Sequence, residues 1–103
     1  MRLAALLVLL AATPAAAQPA GAAEEAAARG RALAERWCAS CHVIAPDGPG
    51  TDAAPAFPAL GGRSDGELRL WLADPHPPMP DPDLSGRDIE ALIAHIRAVS
   101  RAD

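Results

Sequence analysis

Large aromatic side chains are scarce in this sequence: its 103 residues include no tyrosine, one phenylalanine and two tryptophans. Half of the residues are hydrophobic, but alanine supplies many of them. A chain of this length corresponds to one domain at most, and so few large apolar side chains make a poor core. Small domains of this kind commonly depend on disulfides, a metal or another internal support. We therefore expect something bulky to complete the interior.

Lysine is also absent, so all nine basic residues are arginine, and 13 acidic residues outnumber them. The formal net charge is −4. Affinity for nucleic acid comes from lysine and arginine side chains that neutralise phosphates. The acidic balance therefore argues against a nucleic-acid partner.

The longest hydrophobic run lies at the start of the chain. Arg2 precedes the uncharged run 3–12, Pro14 breaks it, and small residues follow up to Ala17. This order predicts a signal peptide over residues 1–17, with cleavage after Ala17 and export to the periplasm. The run is shorter than the roughly 20 apolar residues that span a membrane, although a retained segment would act as a membrane anchor. Export would place the cysteines in an oxidising compartment.

The rest of the sequence predicts an all-α domain over residues 26–103, after a flexible lead-in over residues 18–25. Alanine, arginine and glutamate favour a first helix from Glu24 to Cys38. The density of proline and glycine from Val43 to Pro58 predicts a loop. Nowhere does a polar–apolar alternation predict a strand.

Two more helices are expected in the second half of the sequence. Ser64 and Glu67 fit a capping box in front of a short helix that ends at Ala73. Five prolines between residues 74 and 83 then predict a stiff, extended strap. Ser85 caps the last helix, whose apolar residues recur at helical spacing and predict one buried face. These residues are Ile89, Leu92, Ile93, Ile96 and Val99.

One short motif carries clear chemistry: Cys38-Ala39-Ser40-Cys41-His42 has the spacing Cys-x-x-Cys-His. Two thiols one helical turn apart can reach the two vinyl groups on one edge of a porphyrin and form thioethers. His42 then directs an imidazole nitrogen at the iron. The motif predicts one covalent haem c, held by Cys38 and Cys41, with His42 as an iron ligand.

Three other interpretations of the cysteine pair fit the sequence less well than haem attachment. A thioredoxin-like redox motif usually opens a helix after a strand, whereas this pair follows a predicted helix. A zinc site usually has four ligands in two closely spaced pairs. The sequence has only two cysteines and three histidines, and the two histidines outside the motif do not form a second such pair. A disulfide would close so tight a loop that it constrains little of the unfolded chain. Export, the helical context and the trailing histidine together favour haem.

Low-spin electron-transfer haem needs a second strong axial ligand, and Met79 is the candidate. It is the one methionine left after removal of residues 1–17. Prolines on both sides hold it on the strap, so it has little entropy to lose on binding. Methionine in place of histidine raises the reduction potential. His76, three residues earlier, is the rival ligand and would give a lower potential.

With the haem motif, the strap methionine and the flanking helices in place, the chain resembles the class I c-type cytochromes. It is most similar to small bacterial periplasmic monohaem members, through the strap at residues 74–80 and the closing helix at residues 84–99. The resemblance extends over residues 26–99. It implies the cytochrome c fold, in which N- and C-terminal helices cross and one or more short helices and a Pro-rich strap surround a single haem.

The resemblance also implies roles for single residues. Cys38 and Cys41 match the thioether cysteines, His42 the proximal ligand and Met79 the distal ligand. Pro55 resembles the proline whose carbonyl accepts the other N–H of the proximal imidazole.

Further matches concern packing. Gly30 matches the small residue where the first and last helices cross, and Leu92 matches one of the residues packed against it. Trp71 is expected to pack on the haem or to hydrogen-bond a propionate, with an ordinary core position as the alternative.

Two positions depart from the family pattern. His95 stands where the family usually has an aromatic ring that packs at the helix crossing. Ala34 stands where a larger residue is common, and Trp37 is the candidate for supplying the missing bulk. Taken by itself, His95 is expected to be a half-buried packing residue.

These features predict a periplasmic electron carrier rather than an enzyme, with redox partners docking transiently at the haem edge. A dedicated cytochrome c subunit of a periplasmic dehydrogenase or oxidase complex is the main alternative. A haem gas sensor or enzyme with an open iron site, and a thiol oxidoreductase, remain as further alternatives.

Overall fold

A computed structural model describes residues 3–11 and 20–101. This part of the chain forms three α-helices and one 3-10 helix, and it contains no strand. The α-helices are α1 (Ala20–Trp37), α2 (Asp65–Ala73) and α3 (Gly86–Arg101), and the 3-10 helix is Phe57–Gly62. The all-α prediction is therefore confirmed for the described residues.

The predicted signal peptide is described only in part. Residues 3–11 carry no regular secondary structure, and their side chains are exposed. The expected cleavage position after Ala17 lies outside the described residues. Among the helices that are described, none combines the length and apolar character needed to cross a membrane.

Helix α1 begins at Ala20, four residues earlier than expected. Residues 20–25, which we expected in the flexible lead-in, are therefore helical, while residues 18 and 19 lie outside the described part. Alanine has the highest helix propensity of all residues, and three of the four residues before Glu24 are alanines. The predicted end at the cysteines is close, because the helix stops at Trp37.

Both predicted serine caps are confirmed. The Ser64 Oγ accepts a hydrogen bond of 3.1 Å from the Glu67 backbone N–H at the start of α2. The Ser85 Oγ accepts an equivalent bond of 3.1 Å from the Asp88 N–H at the start of α3. Each bond satisfies a backbone donor that has no partner within the first turn of a helix.

The centre of the fold is the crossing of α1 and α3. A Cβ atom added at Gly30 would overlap the backbone carbonyl of Ala91 and would lie 2.8 Å from the Cβ of His95. A glycine is required here because no side chain fits between the two backbones. Gly30 lies at the crossing of the first and last helices, as expected. The α3 atoms nearest to it belong to Ala91 and His95 rather than to Leu92.

Helix α3 supplies most of the buried side chains. All five residues of the predicted apolar face are buried, as are Ala91 and His95. They pack against α1, against the 3-10 helix and against α2. Phe57, Leu68 and Leu72 join the same core from the other two helices.

The 3-10 helix was not expected, because its first residues were assigned to the loop. It places Phe57 in the core and has a proline in its first turn, where the missing N–H costs no hydrogen bond. Arg97 of α3 fastens its end, because the guanidinium donates to the Gly61 carbonyl at 2.8 Å and to an Asp65 carboxylate oxygen at 2.8 Å.

The expectation for Trp37 is wrong. Trp37 is 45% exposed and lies outside the buried core, with the guanidinium of Arg36 4.8 Å from its ring centroid. Ala34 itself is fully buried.

Candidate functional site

The Cys-x-x-Cys-His motif forms a tight turn that continues from the last residues of α1. The Cys38 N–H donates to the Ala34 carbonyl at 2.8 Å, and the Cys38 carbonyl in turn accepts from the N–H of His42 at 2.9 Å. Both cysteines are free thiols. Cys38 is buried and Cys41 is exposed, so the turn presents the two sulfurs in different environments.

Burial raises the pKa of the Cys38 thiol to about 11. At neutral pH this thiol is therefore protonated. Catalysts of thiol–disulfide exchange need the opposite property, since a lowered pKa supplies the nucleophilic thiolate. The buried environment of Cys38 therefore disfavours a function as a thiol oxidoreductase.

The side chain of His42 is oriented by a hydrogen bond. Its Nδ1 atom lies 2.6 Å from the backbone carbonyl oxygen of Pro55. A carbonyl can only accept, so Nδ1 carries the proton and donates it. In this tautomer the lone pair lies on Nε2, which is the form in which imidazole binds a metal. The Phe57 ring packs against His42, with 5.2 Å between ring centroids.

Backbone hydrogen bonds hold the segment that carries His42 against residues 54–57. The Ala54 N–H donates to the Cys41 carbonyl at 2.7 Å, and the Phe57 N–H donates to the Val43 carbonyl at 2.9 Å. Gly50 has a φ of +141° and lies so close to the His42 carbonyl that a Cβ would overlap it. This packing explains why the loop that we expected from its composition has a fixed shape.

Met79 lies on the strap, which has no regular secondary structure from Asp74 to Ser85. Its N–H donates to the His76 carbonyl at 2.9 Å, which closes a turn. The Met79 side chain is half-buried and packs against the core, whereas His76 is exposed. Of the two candidate ligands, the methionine is the one that faces the interior.

Trp71 is 38% exposed and does not belong to the buried core. The guanidinium of Arg63 lies over its ring, 5.1 Å from the centroid. The ordinary core position that we considered for this tryptophan is therefore not observed. A partly exposed ring on α2 keeps surface available for a ligand or a partner.

His95 is the residue whose environment differs most from expectation. It was expected to be half-buried, but only 3% of it is exposed. Its Nε2 atom lies 2.7 Å from the backbone carbonyl oxygen of Ile44. Desolvation by this burial lowers the pKa of His95. Ile44 is 51 residues away along the chain. The only signal in the sequence that could have suggested the bond is that His95 is a polar residue on the apolar face of α3.

The donor set fits a haem iron. His42 has one ring nitrogen engaged with Pro55 and the other left as a metal-binding lone pair. Two unpaired thiols stand on the turn directly before it. The thioether of Met79, on the strap, packs against the core. Imidazole and thioether are one of the ligand pairs found in electron-transfer haems.

The comparison with curated proteins agrees with this donor set. The chain is 43% identical over 79 residues to cytochrome c-552 of Bradyrhizobium diazoefficiens, an alignment that covers 69% of this chain and 75% of that protein. The chain therefore belongs to the c-type cytochromes, a family of haem electron-transfer proteins, and its helical fold fits the small monohaem class I.

A second relative is a much longer protein. The chain is 38% identical over 80 residues to cytochrome c oxidase subunit 2 of Alkalihalophilus pseudofirmus. This alignment covers 63% of the chain but only 23% of the oxidase subunit. No protein-family model matches the chain, and no solved structure matches it.

Proposed function

We propose that the protein is a periplasmic electron carrier with one haem c attached through Cys38 and Cys41. His42 and Met79 would hold the iron. When bound, the haem supplies reversible one-electron chemistry between ferric and ferrous iron. The observation that carries the proposal is the 2.6 Å bond from the His42 ring to Pro55, because it leaves a metal-binding nitrogen directly after two free thiols.

The bond to Pro55 has two effects on His42. It fixes the ring orientation and the tautomer, and it increases the basicity of the other nitrogen. A ligand that is already oriented needs little rearrangement when the oxidation state changes. Pro55 is suited to this role because its carbonyl lies on the loop that backbone hydrogen bonds from Ala54 and Phe57 already hold in place.

Met79 would complete the ligation from the strap. A thioether favours ferrous iron and gives a higher reduction potential than a second imidazole. The half-buried position of Met79 and the exposed position of His76 support the methionine as ligand. If His42 and Met79 both held the iron, a small molecule would have to displace a protein ligand, which argues against a gas sensor or an open-site haem enzyme.

The predicted signal peptide supports the periplasmic location, and retention of residues 1–17 would instead anchor the protein to the membrane. Redox partners are expected to dock transiently at the haem edge, with interfaces below about 1,200 Å². Since the chain carries a formal net charge of −4, we expect basic surfaces on the partner and association rates that fall with salt.

The similarity to cytochrome c oxidase subunit 2 supports one alternative, a cytochrome c subunit of a larger oxidase or dehydrogenase complex. The two functions differ in the stability of the association. Purification in high salt should leave a transient carrier alone, whereas a dedicated subunit would remain bound to its larger partner.

Absorption spectra of the purified protein test the proposed site. In alkaline pyridine the reduced protein should give the spectrum of a haem whose two vinyl groups have become thioethers. In its native oxidised state it should show the weak far-red band of a methionine–iron bond. A product with the mass of the bare polypeptide would overturn the proposal, and a covalent haem without the far-red band would point to His76 as the ligand.

A further inference from the structure

His95 lies where three parts of the fold meet. It belongs to α3, its Cβ lies next to Gly30 of α1, and its ring contacts the loop that follows His42. Ile44, the loop residue that the ring contacts, is fully buried. The imidazole therefore supplies a directional contact between α3 and the loop.

The hydrogen bond from His95 satisfies a buried backbone carbonyl. Nε2 is 2.7 Å from the Ile44 oxygen, which can only accept, so Nε2 carries a proton and donates it. The Ile44 N–H is bound to the Pro49 carbonyl at 3.3 Å. Both backbone polar groups of Ile44, two residues after His42, are thus fixed.

A second line of contact runs through Phe57. Its buried ring packs against both imidazoles, with its centroid 5.2 Å from that of His42 and 5.9 Å from that of His95. The Phe57 N–H is bound to the Val43 carbonyl at 2.9 Å. The His95 ring therefore supports the His42 ring both through the loop backbone and through one intervening aromatic side chain.

We propose that His95 is a positioning residue for His42: its bond to the Ile44 carbonyl and its contact with Phe57 hold the ligand-bearing loop in place against α3. The inference rests on the proposed function, in which His42 is an iron ligand. An aromatic hydrocarbon ring at this place would fill the same space and contact Phe57, but it could not satisfy the Ile44 carbonyl.

The first experiment compares His95→Phe with the wild-type holoprotein. The phenyl ring keeps the packing but leaves a buried carbonyl without a partner, so we expect the melting temperature to fall by roughly 5 °C or more. We also expect the ferrous-to-ferric ratio at a fixed ambient potential to change by roughly threefold or more, because the support of a metal ligand has been altered.

Two further variants separate positioning from simple stability. His95→Gln places an amide N–H at the distance of Nε2 and should bring the ferrous-to-ferric ratio back toward the wild-type value. Ile93→Val removes a buried methylene from the same helix without removing a hydrogen bond. It should lower the melting temperature while leaving the ratio unchanged. Equal ratios in His95→Phe and Ile93→Val at similar loss of melting temperature would overturn the proposal.

Nuclear magnetic resonance of the unaltered protein keeps the inference testable if His95→Phe does not fold. The His95 Nε2 proton should exchange slowly with solvent and show a coupling to the Ile44 carbonyl carbon. A rapidly exchanging proton, or protonation on Nδ1 alone, would overturn the proposal. Failure of the proposed function would appear differently, as wild-type protein without covalent haem.

Discussion

The two halves of this domain are stabilised in different ways. The crossing of α1 and α3 is closed by the side chains of the chain itself, and α3 alone buries seven residues. On the other side, α2 buries two residues, and the strap contributes the half-buried Met79. Leu70 and Trp71 of α2 are 72% and 38% exposed. Helix packing therefore accounts for the stability of the half that contains the α1–α3 crossing. The half that contains α2 and the strap depends on the stiffness of the prolines and, in our proposal, on ligation of the iron.

The largest effect is expected from removing both thiols. In a Cys38→Ala, Cys41→Ala double variant we expect the yield of folded, coloured protein to fall about tenfold or more, since a small domain with few large apolar side chains needs additional support. Expression level and absorption per protein measure this. Ser40→Ala, within the same turn, is the control and should accumulate normally. Normal accumulation of a folded, colourless double variant would show that the helix crossing suffices alone.

The next effect distinguishes the two halves directly. Leu92→Ala removes a fully buried side chain from the helix crossing and should cost about 2–5 kcal/mol of unfolding free energy. Leu70→Ala, at an exposed position on α2, should change it by no more than about 0.5 kcal/mol. Denaturant titrations of the two holoproteins measure both values. Similar losses would mean that Leu70 is covered by something in the folded protein.

Met79→Ala addresses the strap. We expect the haem to stay covalently bound, the reduction potential to fall, and carbon monoxide to bind the reduced iron, since the thioether ligand is gone. Redox titration and difference spectra measure these changes. His76→Ala is the matched control on the same strap and should leave the potential unaltered. If the results of the two variants were exchanged, His76 would be the ligand.

A smaller effect concerns acid. Burial lowers the pKa of His95 in the folded state, while Arg31 lowers and Glu35 raises it, and Asp47 lines the same cavity as the histidine. The unfolded chain therefore binds a proton more readily, so stability is complete above about pH 6.5 and decreases as the pH falls below it. For one proton the slope is at most about 1.4 kcal/mol per pH unit.

Unfolding titrations of the wild type and of His95→Gln between pH 7.5 and 5 measure this contribution. The difference between the two proteins should grow smaller toward low pH. A constant difference would mean that His95 does not titrate in this range. Asp88 and Glu90, whose pKa values are lowered mainly by hydrogen bonds from Arg29 and Arg69, affect stability only at lower pH, near the ordinary carboxyl range.

The smallest effect on stability is expected from an ion pair that connects the two halves. Arg69 of α2 and Glu90 of α3 form an exposed ion pair, with 2.6 Å between Nε and Oε1. Exposed pairs contribute little and are screened by salt. Arg69→Gln and Glu90→Gln, alone and together, should show a small coupling that disappears at high salt. A large coupling at high salt would mean that the pair holds α2 in place.

Local signals in the sequence predicted the helices well. The serines at positions 64 and 85 and the apolar stripe of α3 were confirmed because caps and periodicity act within a few residues. The 3-10 helix was missed because its proline and two glycines resemble a loop. The earlier start of α1 was missed because alanines near a proline were taken for a flexible segment.

Long-range contacts could not be predicted in the same way. The resemblance to a known family indicated the bond between His42 and Pro55, whereas no such guide existed for His95 and Ile44. A hydrogen bond between residues 51 positions apart depends on how the loop folds back onto α3. The exposure of Trp37 likewise depends on which side of α1 meets α3, which composition alone does not fix.

The close approach at Gly30 limits how the first and last helices can pair. If α1 slid by one residue along α3, Arg29 or Arg31 would replace glycine beside the Ala91 carbonyl, and neither backbone could come as near. The two segments, separated by most of the domain along the chain, can therefore recognise each other in a single register. Misaligned pairings of the two helices are thus excluded by steric overlap at a single glycine.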